Sequence, residues 1–453
     1  MSLLHSETRE VLKSELELFT LPPTQTSIEE TRFVKYYPLT SLDRGGPLEF
    51  NIPSSDKEYI DPQKVFLYMK IRILDENGAQ LKERTSNDDA TVPTKSIVFP
   101  INYFHATCFK SVEVHLNNKS CSNNDTLYPY RAYLETLLSY SRSSKEEQMK
   151  AAMWYKDIDP FDEHSDAVSK NTGDRSQNSG ALSRFLRTRF SHPFETFGRL
   201  HSEIFNQPKL LIGNVDLNIK LQRANNNFSL MAQGENQRYN VSIETAELFV
   251  CHKKISDSIR EAHLLSLQHN TIKYPVRKVD MKFFTRGANR SDLSEPNLVN
   301  GTLPRRIVLG LVNSDAFNGS FHHSPFNFQS FNVSSIAIRK NGENVPFQEL
   351  EMDYENMCYM QGYMTMLEGT NVMFKDRNID IQPFVNYPYG YALYAFDLTQ
   401  DHTEGGNFNL IQQGNISIDI KLMKPSEHGI TIVCYLEYDA LIEIDRDFNV
   451  SYE

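Results

Sequence analysis

The stretch GNVDLNIKL, beginning at Gly213, returns two hundred residues later as GNISIDIKL at Gly414. In each copy the apolar side chains fall on alternate positions: Val215, Leu217, Ile219 and Leu221 in the first, Ile416, Ile418, Ile420 and Leu422 in the second. Period two is the signature of a strand with one buried face, and a slip of one residue would turn the whole apolar set outward. The Gly-Asn in front predicts a tight turn in which φ can be positive, setting the register. The pair is not alone. KSVEVHLNN at Lys110 matches SSIAIRKNG at Ser334, and YNVSIETAELFV at Tyr239 matches HGITIVCYLEYD at His428, in the same order along the chain. The offsets fall from 224 to 201 to 189, so the first copy carries the longer loops. Such internal repetition predicts one supersecondary plan used twice.

The remaining pattern agrees. Strand-like alternation is predicted over 47–53, 64–74, 109–118, 214–223 and 239–255, then over 278–286, 305–312, 331–342, 391–399, 415–423 and 429–444. Helical candidates are few: 6–19, 128–141, 144–155, 255–267 and the Met/Tyr-rich 350–367. Residues 156–182 and 224–238 are polar and turn-forming and read as surface insertions. The expected fold is all-β: two consecutive antiparallel eight-stranded jelly rolls with short inserted helices and an N-terminal arm. The expected division is 1–45 arm, 46–256 first jelly roll and 257–453 second. A propeller would need four or more shorter repeats.

Composition narrows function mainly by exclusion. A net charge of −11 argues against a surface devoted to neutralising phosphates. Five cysteines without a C-x-x-C pair fit a reducing compartment and read as small buried hydrophobes. The leading residues carry Glu and Lys where a signal peptide is apolar, and no 18-residue apolar run occurs, so neither export nor a membrane span is expected. The sequons at Asn124, Asn227, Asn318 and Asn449 are read as chance.

Chemistry-bearing constellations are sparse. His322 and His323 are adjacent, so on one strand they would face opposite ways, and a loop is expected. The acidic run Asp157, Asp159, Asp162, Glu163 and Asp166 lacks the Gly and terminal Glu of a calcium loop and reads as solvated. The basic-aromatic clusters Arg184, Arg187, Arg189 and Arg277, Lys278, Lys282, Arg286, Arg290 suit a solvated face better than a nucleic-acid surface. Tyr354, Met357, Tyr359, Met360, Tyr363, Met364 and Met366 read as adaptable packing or a subunit interface. Phosphate-loop, zincin and hydrolase-elbow motifs are missing. No catalytic, cofactor-binding or metal-ligating residue is assigned, and no cofactor is expected.

Two long stretches carry a family likeness. ELFTLPPTQTSIEETRFVKYYPLTSLDRGGPLEFNIPSSDKEYIDPQKVFLYMKIRI (17–73) and ITIVCYLEYDALIEIDRDFNV (430–450) resemble the double jelly-roll major capsid proteins of adintoviruses and Polinton (Maverick) elements. The resemblance implies a non-enzymatic virion protein whose homotrimers form pseudo-hexagonal capsomers of an icosahedral shell around double-stranded DNA. It also implies neighbouring capsomers, penton and minor capsid proteins as partners, no sequence-specific nucleic acid binding, and an arm at the inner side or clamping neighbours. The competing reading is a two-sandwich carbohydrate-binding protein or glycan hydrolase. Against it, sugar platforms favour Trp and the chain has one, Trp154.

Overall fold

Why the repeated strand recurs is visible in its neighbours. In the computed structural model, which describes residues 7–42, 45–81, 97–122, 126–159, 178–232, 238–345, 348–400, 402 and 407–452, both copies are central strands of equivalent sheets. The first sandwich contains β1 (Ile28–Tyr36), β2 (Leu48–Ile52), β3 (Glu58–Asp75), β4 (Val98–Pro100), β5 (Phe109–Leu116), β6 (Lys119–Ser120), β7 (Phe194–Arg199), β8 (Leu217–Arg223), β9 (Leu230–Ala232) and β10 (Tyr239–Ile255). The second contains β11 (Ile272–Arg286), β12 (Glu295–Thr302), β13 (Arg306–Asn313), β14 (Val333–Lys340), β15 (Glu343–Asn344), β16 (Leu350–Glu351), β17 (Leu393–Asp397), β18 (Gln413–Leu422), β19 (Ile430–Ile444) and β20 (Val450–Tyr452).

The sheet orders are β1-β10-β3-β7 and β2-β8-β5-β6 in the first sandwich, with β4 and β9 as a separate pair. In the second they are β11-β19-β13-β17 and β12-β18-β14-β15, with β20 on β19 and β16 on β14. Replacing β1, β2, β3, β5, β6, β7, β8 and β10 by β11, β12, β13, β14, β15, β17, β18 and β19 converts one order into the other. Each set of eight is an antiparallel jelly roll, so the fold is a double jelly roll, and all three repeated sequence pairs fall on equivalent strands.

Register refines the repeat. Val112 faces Leu221 and Val114 faces Ile219 in the first copy, whereas Ile336 faces Ile420 and Ile338 faces Ile418 in the second. The sequence offsets would pair Ile336 with Leu422, two residues away. An even slip keeps every side chain on its own face, which is why the likeness survived it. Leu217, Ile219, Leu221, Ile418 and Ile420 are all buried. Ile219→Ala and Ile418→Ala are each expected to cost about 2–5 kcal/mol in chemical denaturation. Lys220→Ala, on the outward face of the same strand, is expected to stay within about 0.5 kcal/mol.

The Gly-Asn turns differ from expectation in their division of labour. In the first copy the positive φ, 63°, falls on Asn214, while Gly213 is required by a close approach: a Cβ there would lie 2.4 Å from the Ser55 carbonyl oxygen. In the second, neither residue has a positive φ, because β18 already runs through Gly414 and the tight turn sits opposite, at Asn341 and Gly342. There a Cβ on Gly414 would meet the Asn341 side chain at 2.8 Å.

Several helix expectations change. The 6–19 candidate is a single 3₁₀ turn, Ser14–Leu16, with residues 1–6 outside the described set. Its side chains are exposed all round, and a short helix without a packing face does not persist in water. Within 1–45, residues 28–36 form β1, paired antiparallel along β10 from Tyr36↔Leu248 to Ile28↔Ile255, so the first sandwich draws its first strand from that segment. The helix Tyr128–Ser139 stands as expected, 144–155 becomes a short helix Arg142–Glu146 and a 3₁₀ turn Gln148–Ala152, and 255–267 becomes the linker helix Asp257–Leu267. In the Met/Tyr segment only Met360–Gly369 is helical; Leu350–Glu351 is β16.

Candidate assembly surfaces and the junction between the sandwiches

The side chains that fix the two sandwiches to one another come from the helix Tyr128–Ser139, placed between β6 and β7. Tyr133 stacks flat on Phe326 of the second sandwich, with centroids 4.1 Å apart and planes 1° from parallel, and on Trp154 at 5.1 Å on its other side. Tyr130 packs on Phe317 and Phe326, both at 5.6 Å. Phe328 in turn lies against β13, and Gly310 is what allows it: a Cβ there would come within 2.5 Å of the Phe328 ring. Aromatic rings bury large areas in fixed geometry, so this stack sets the angle between the sandwiches as well as holding them together.

Below the stack lies a charged network. Arg131 bridges Glu135 at 2.9 Å and Glu203 at 2.8 Å, and Glu203 is wholly buried and also accepts from the Val279 N–H of β11 at 3.4 Å. Glu135 meets His201 Nδ1 at 2.6 Å, and His201 Nε2 meets the Tyr103 hydroxyl at 2.8 Å. Glu, His and Tyr in sequence superficially look like a catalytic relay. Tyr103 and His201 are buried, however, and burial pushes the Tyr103 hydroxyl well above its ordinary range, so it is a poor nucleophile out of reach of substrate.

Burial opposes the charge on Glu135, but Arg131 and His201 beside it outweigh that penalty and hold its carboxyl at about 2. The folded value lies below the ordinary 4.5, so the stabilisation is present in full above that value and is lost as pH falls towards 2. The urea midpoint is therefore expected to decline between about pH 4.5 and pH 2, and Glu135→Gln is expected to flatten that decline. Lys145 is a second pin. Its Nζ donates to the Leu137 carbonyl at 2.6 Å and to the Ile379 carbonyl of the second sandwich at 2.8 Å, and burial lowers it to about 7. Between about 7 and its ordinary 10.5 the folded chain binds fewer protons than the unfolded one, so this group adds stability as pH rises through that window.

The residues singled out from sequence are placed as follows. His322 and His323 lie in a loop. Of the acidic run, Asp157 is buried against Arg184 at 2.7 Å, Asp159 is exposed, and Asp162, Glu163 and Asp166 lie outside the described residues. Arg184 departs from the solvated reading: it is 1% exposed and also donates to the Pro100 and Tyr155 carbonyls, because it ties the end of the long β6–β7 connection to the core. Arg187 and Arg189 are exposed. On β11, Arg277 pairs with Asp439, Arg286 with Glu295, and Lys282 donates to the Leu298 carbonyl; Lys278 lies over Tyr452. Four cysteines are buried, but Cys358 is exposed. Trp154 is buried and offers no sugar platform. Of the Met/Tyr set, Tyr359 and Met366 are buried and Tyr354 bonds the Tyr394 hydroxyl at 2.8 Å, so most of it packs within the chain; Met357 is exposed. Among the described residues no three His, Cys, Asp or Glu are grouped to hold a metal ion, and no helix is long and apolar enough to cross a membrane.

What the sequence reading missed is an exposed aromatic row. Phe33, Phe66, Phe197 and Phe249 come from the four strands of β1-β10-β3-β7 and lie on its outer face, with centroids 6.4 Å (Phe33–Phe66), 5.4 Å (Phe66–Phe197) and 5.7 Å (Phe197–Phe249) apart. Phe33 and Phe197 are 54% and 40% exposed. Ion pairs flank the row, Lys35 with Glu247 at 3.0 Å and Lys70 with Glu244 at 3.4 Å. The signal was in the sequence: KVFLYMKIRIL is apolar at both parities, with Phe66 and Tyr68 where a solvated face would be polar. An apolar centre with a charged rim is the anatomy of a protein interface.

With this geometry in view, comparisons with known proteins are informative about the fold. No protein-family profile matches the chain. An uncharacterised Caenorhabditis elegans protein is 26% identical over 434 residues, covering 94% of this chain and 97% of that one. Among solved structures, the chain is similar to a chain of the Sputnik virophage determined by cryo-electron microscopy (TM-score 0.66, 12% identity, 100% of this chain and 94% of that one). It is similar also to the mavirus major capsid protein (TM-score 0.54, 10% identity, 100% and 97%) and to PBCV-1 VP54 fitted into a Sputnik reconstruction (0.57, 9%, 96% and 99%). The fold is that of the double jelly-roll major capsid proteins of viruses.

Proposed function

We propose that this chain is a major capsid protein of the adintovirus or Polinton (Maverick) type, a structural subunit without catalytic activity. The observation that carries the reading is the complete eight-strand plan occurring twice in one chain, over a length that spans the mavirus capsid protein almost end to end. Two similar sandwiches per chain give a closed trimer six nearly equivalent sides, which lets a three-fold molecule tile a hexagonal lattice. The rigid aromatic and ionic junction supports this role, since a tile must hold its angle. On this reading the product is an icosahedral shell around double-stranded DNA, with penton and minor capsid proteins as further partners, and the virion is its location. The net charge of −11 fits a shell that leaves genome condensation to other proteins. Residues 7–27, with Val11, Phe19 and Leu21 about nine-tenths exposed or more, act as an arm that contacts neighbouring capsomers. The division into arm, first jelly roll and second jelly roll follows the same reading, with the first beginning at β1.

Native mass measurement with negative-stain imaging tests it. Trimers of hexagonal outline are expected; a stable monomer at roughly tens of micromolar would count decisively against the capsomer.

A further inference from the structure

Beside the Lys145 pin, the seam between the sandwiches brings a lysine, a carboxamide and a carboxylate to one point. Lys156 follows Tyr155 in the β6–β7 connection of the first sandwich, whereas Asp380 and Asn386 belong to the β16–β17 connection of the second. Lys156 Nζ lies 3.2 Å from Asn386 Oδ1 and 3.2 Å from Asp380 Oδ2, and it also donates to the Asp380 carbonyl. These are the three parts of an acyl transfer: a nucleophile, an acyl donor and a proton carrier. We propose that the folded chain joins Lys156 to Asn386 by a side-chain amide bond, Nζ displacing the Asn386 nitrogen as ammonia with Asp380 moving the protons. The proposal goes beyond the capsid reading and does not depend on it.

The reacting groups are held in place by their surroundings. Three consecutive carbonyls are tied down: Ile379 by Lys145 Nζ at 2.8 Å, Asp380 by Lys156, and Ile381 by the Tyr363 hydroxyl at 3.0 Å. Asn386 closes a turn, its N–H donating to the Gln382 carbonyl at 3.1 Å. The Gln382 N–H donates to Asn386 Oδ1 at 3.4 Å, and remains there to stabilise the charge that develops on that oxygen. Asn386 Cγ lies one C=O bond, about 1.2 Å, from Oδ1, so a turn of the lysine's end torsions brings Nζ onto the carbon. Asn386 is buried, the Lys156 and Asp380 side chains are 20% and 12% exposed, and Lys156 lies over the Tyr391 ring at 5.4 Å, so water has little access. Burial lowers the Lys156 ammonium from its ordinary value against the opposing pull of Asp380, which raises the share of free amine. The Asp380 carboxylate takes a proton from the ammonium, and the amine adds to Cγ. Asp380 delivers that proton to Nδ2 as the C–N bond breaks, then takes the second proton from the new amide nitrogen and passes it to the departing ammonia. A charged lysine and a carboxamide thus become a neutral amide and an ammonium ion, with no oxidant and no further reactant. The bond closes a loop of 230 residues and locks the two sandwiches across the seam.

Mass measurement of the full-length chain, denatured after purification in the folded state, tests the proposal. The chain is expected to be lighter than its sequence by one ammonia, and a protease digest is expected to contain a branched peptide joining Lys156 to Asn386. Lys156→Arg keeps the positive charge and removes the nucleophile. Asp380→Asn removes the carboxylate at a position whose φ of 61° asparagine accepts readily. Both variants are expected at full sequence mass. An unmodified chain at full mass with no branched peptide overturns the proposal and leaves an ordinary ion pair. Ammonia loss that persists in Lys156→Arg and maps to an Asn-Gly pair, such as Asn300-Gly301 or Asn341-Gly342, overturns it equally, because such pairs lose ammonia by ring closure on their own backbone. A branched peptide retained in Asp380→Asn overturns the role given to Asp380. The decisive peptide is read on the unmodified chain, so the result does not rest on the folding of either variant, and the oligomeric state has no bearing on it.

Discussion

Replacing Arg131 by methionine is expected to lower the unfolding free energy by about 3–5 kcal/mol, read as a shifted denaturation midpoint at unchanged slope. The expected size follows from what is left behind. Methionine keeps most of the volume, so no large cavity opens, but Glu203 loses its cation while wholly buried, and Glu135 loses one of the two partners that hold its proton off. An unpaired buried carboxylate must either remain charged in a poor solvent or take up a proton. The variant is therefore expected to gain stability relative to the unmodified chain as pH falls, with the gap narrowing below about pH 4.5. The joint variant Arg131→Met, Glu203→Gln is expected to recover much of the loss, because it removes the orphaned charge along with its partner.

The second large effect is expected at Tyr133. Truncation to alanine removes a ring held between Phe326 at 4.1 Å and Trp154 at 5.1 Å, and is expected to cost about 3–5 kcal/mol, the range for losing a buried aromatic. Tyr133→Phe keeps the stack and is expected to stay within about 1 kcal/mol. The site lies between the sandwiches, so the signature of Tyr133→Ala is a loss of cooperativity: limited proteolysis is expected to cut between them, near the 257–267 linker, before either sandwich is degraded. If instead the variant melted in one transition at the original temperature, the stack would have no part in fixing the junction.

The central strands of the four larger sheets were readable. β3, β8, β10, β18 and β19 alternate or run apolar over long stretches, and the repeated pairs gave the equivalence of the sandwiches directly. Two of the missed strands share a physical cause. β1 and β12 are edge strands: β1 exposes most of its side chains, so IEETRFVKY has little alternation to detect, and β12 reads EPNLVNGT, with Pro, Asn and Gly that argue against a central strand and are tolerated at an edge. β11 was recognised only from Lys278 onward because Lys273 and Pro275 interrupt its pattern. The junction was invisible for a different reason. Arg131, the neighbouring His201 and Glu203, and Val279 come from three distant parts of the chain and meet only through tertiary packing, so no spacing could announce them. The basic cluster around Arg184 was misjudged in part because a buried ion pair and a solvated one are spelled alike.

The pairing of β1 with β10 bears on how the protein is made. Ile28 meets Ile255 across a closure of more than two hundred residues, and β11 meets β19 across a similar span, Ile272 to Ile444. Contacts so distant in sequence are slow to form, since a long loop must close before they contribute. Yet the two closures do not overlap along the chain: every strand of the first sandwich has left the ribosome by Ile255, before β11 begins. The first sandwich can therefore fold while the second is still being synthesised, and its helix Tyr128–Ser139 then serves as a preformed template on which the later sheet condenses.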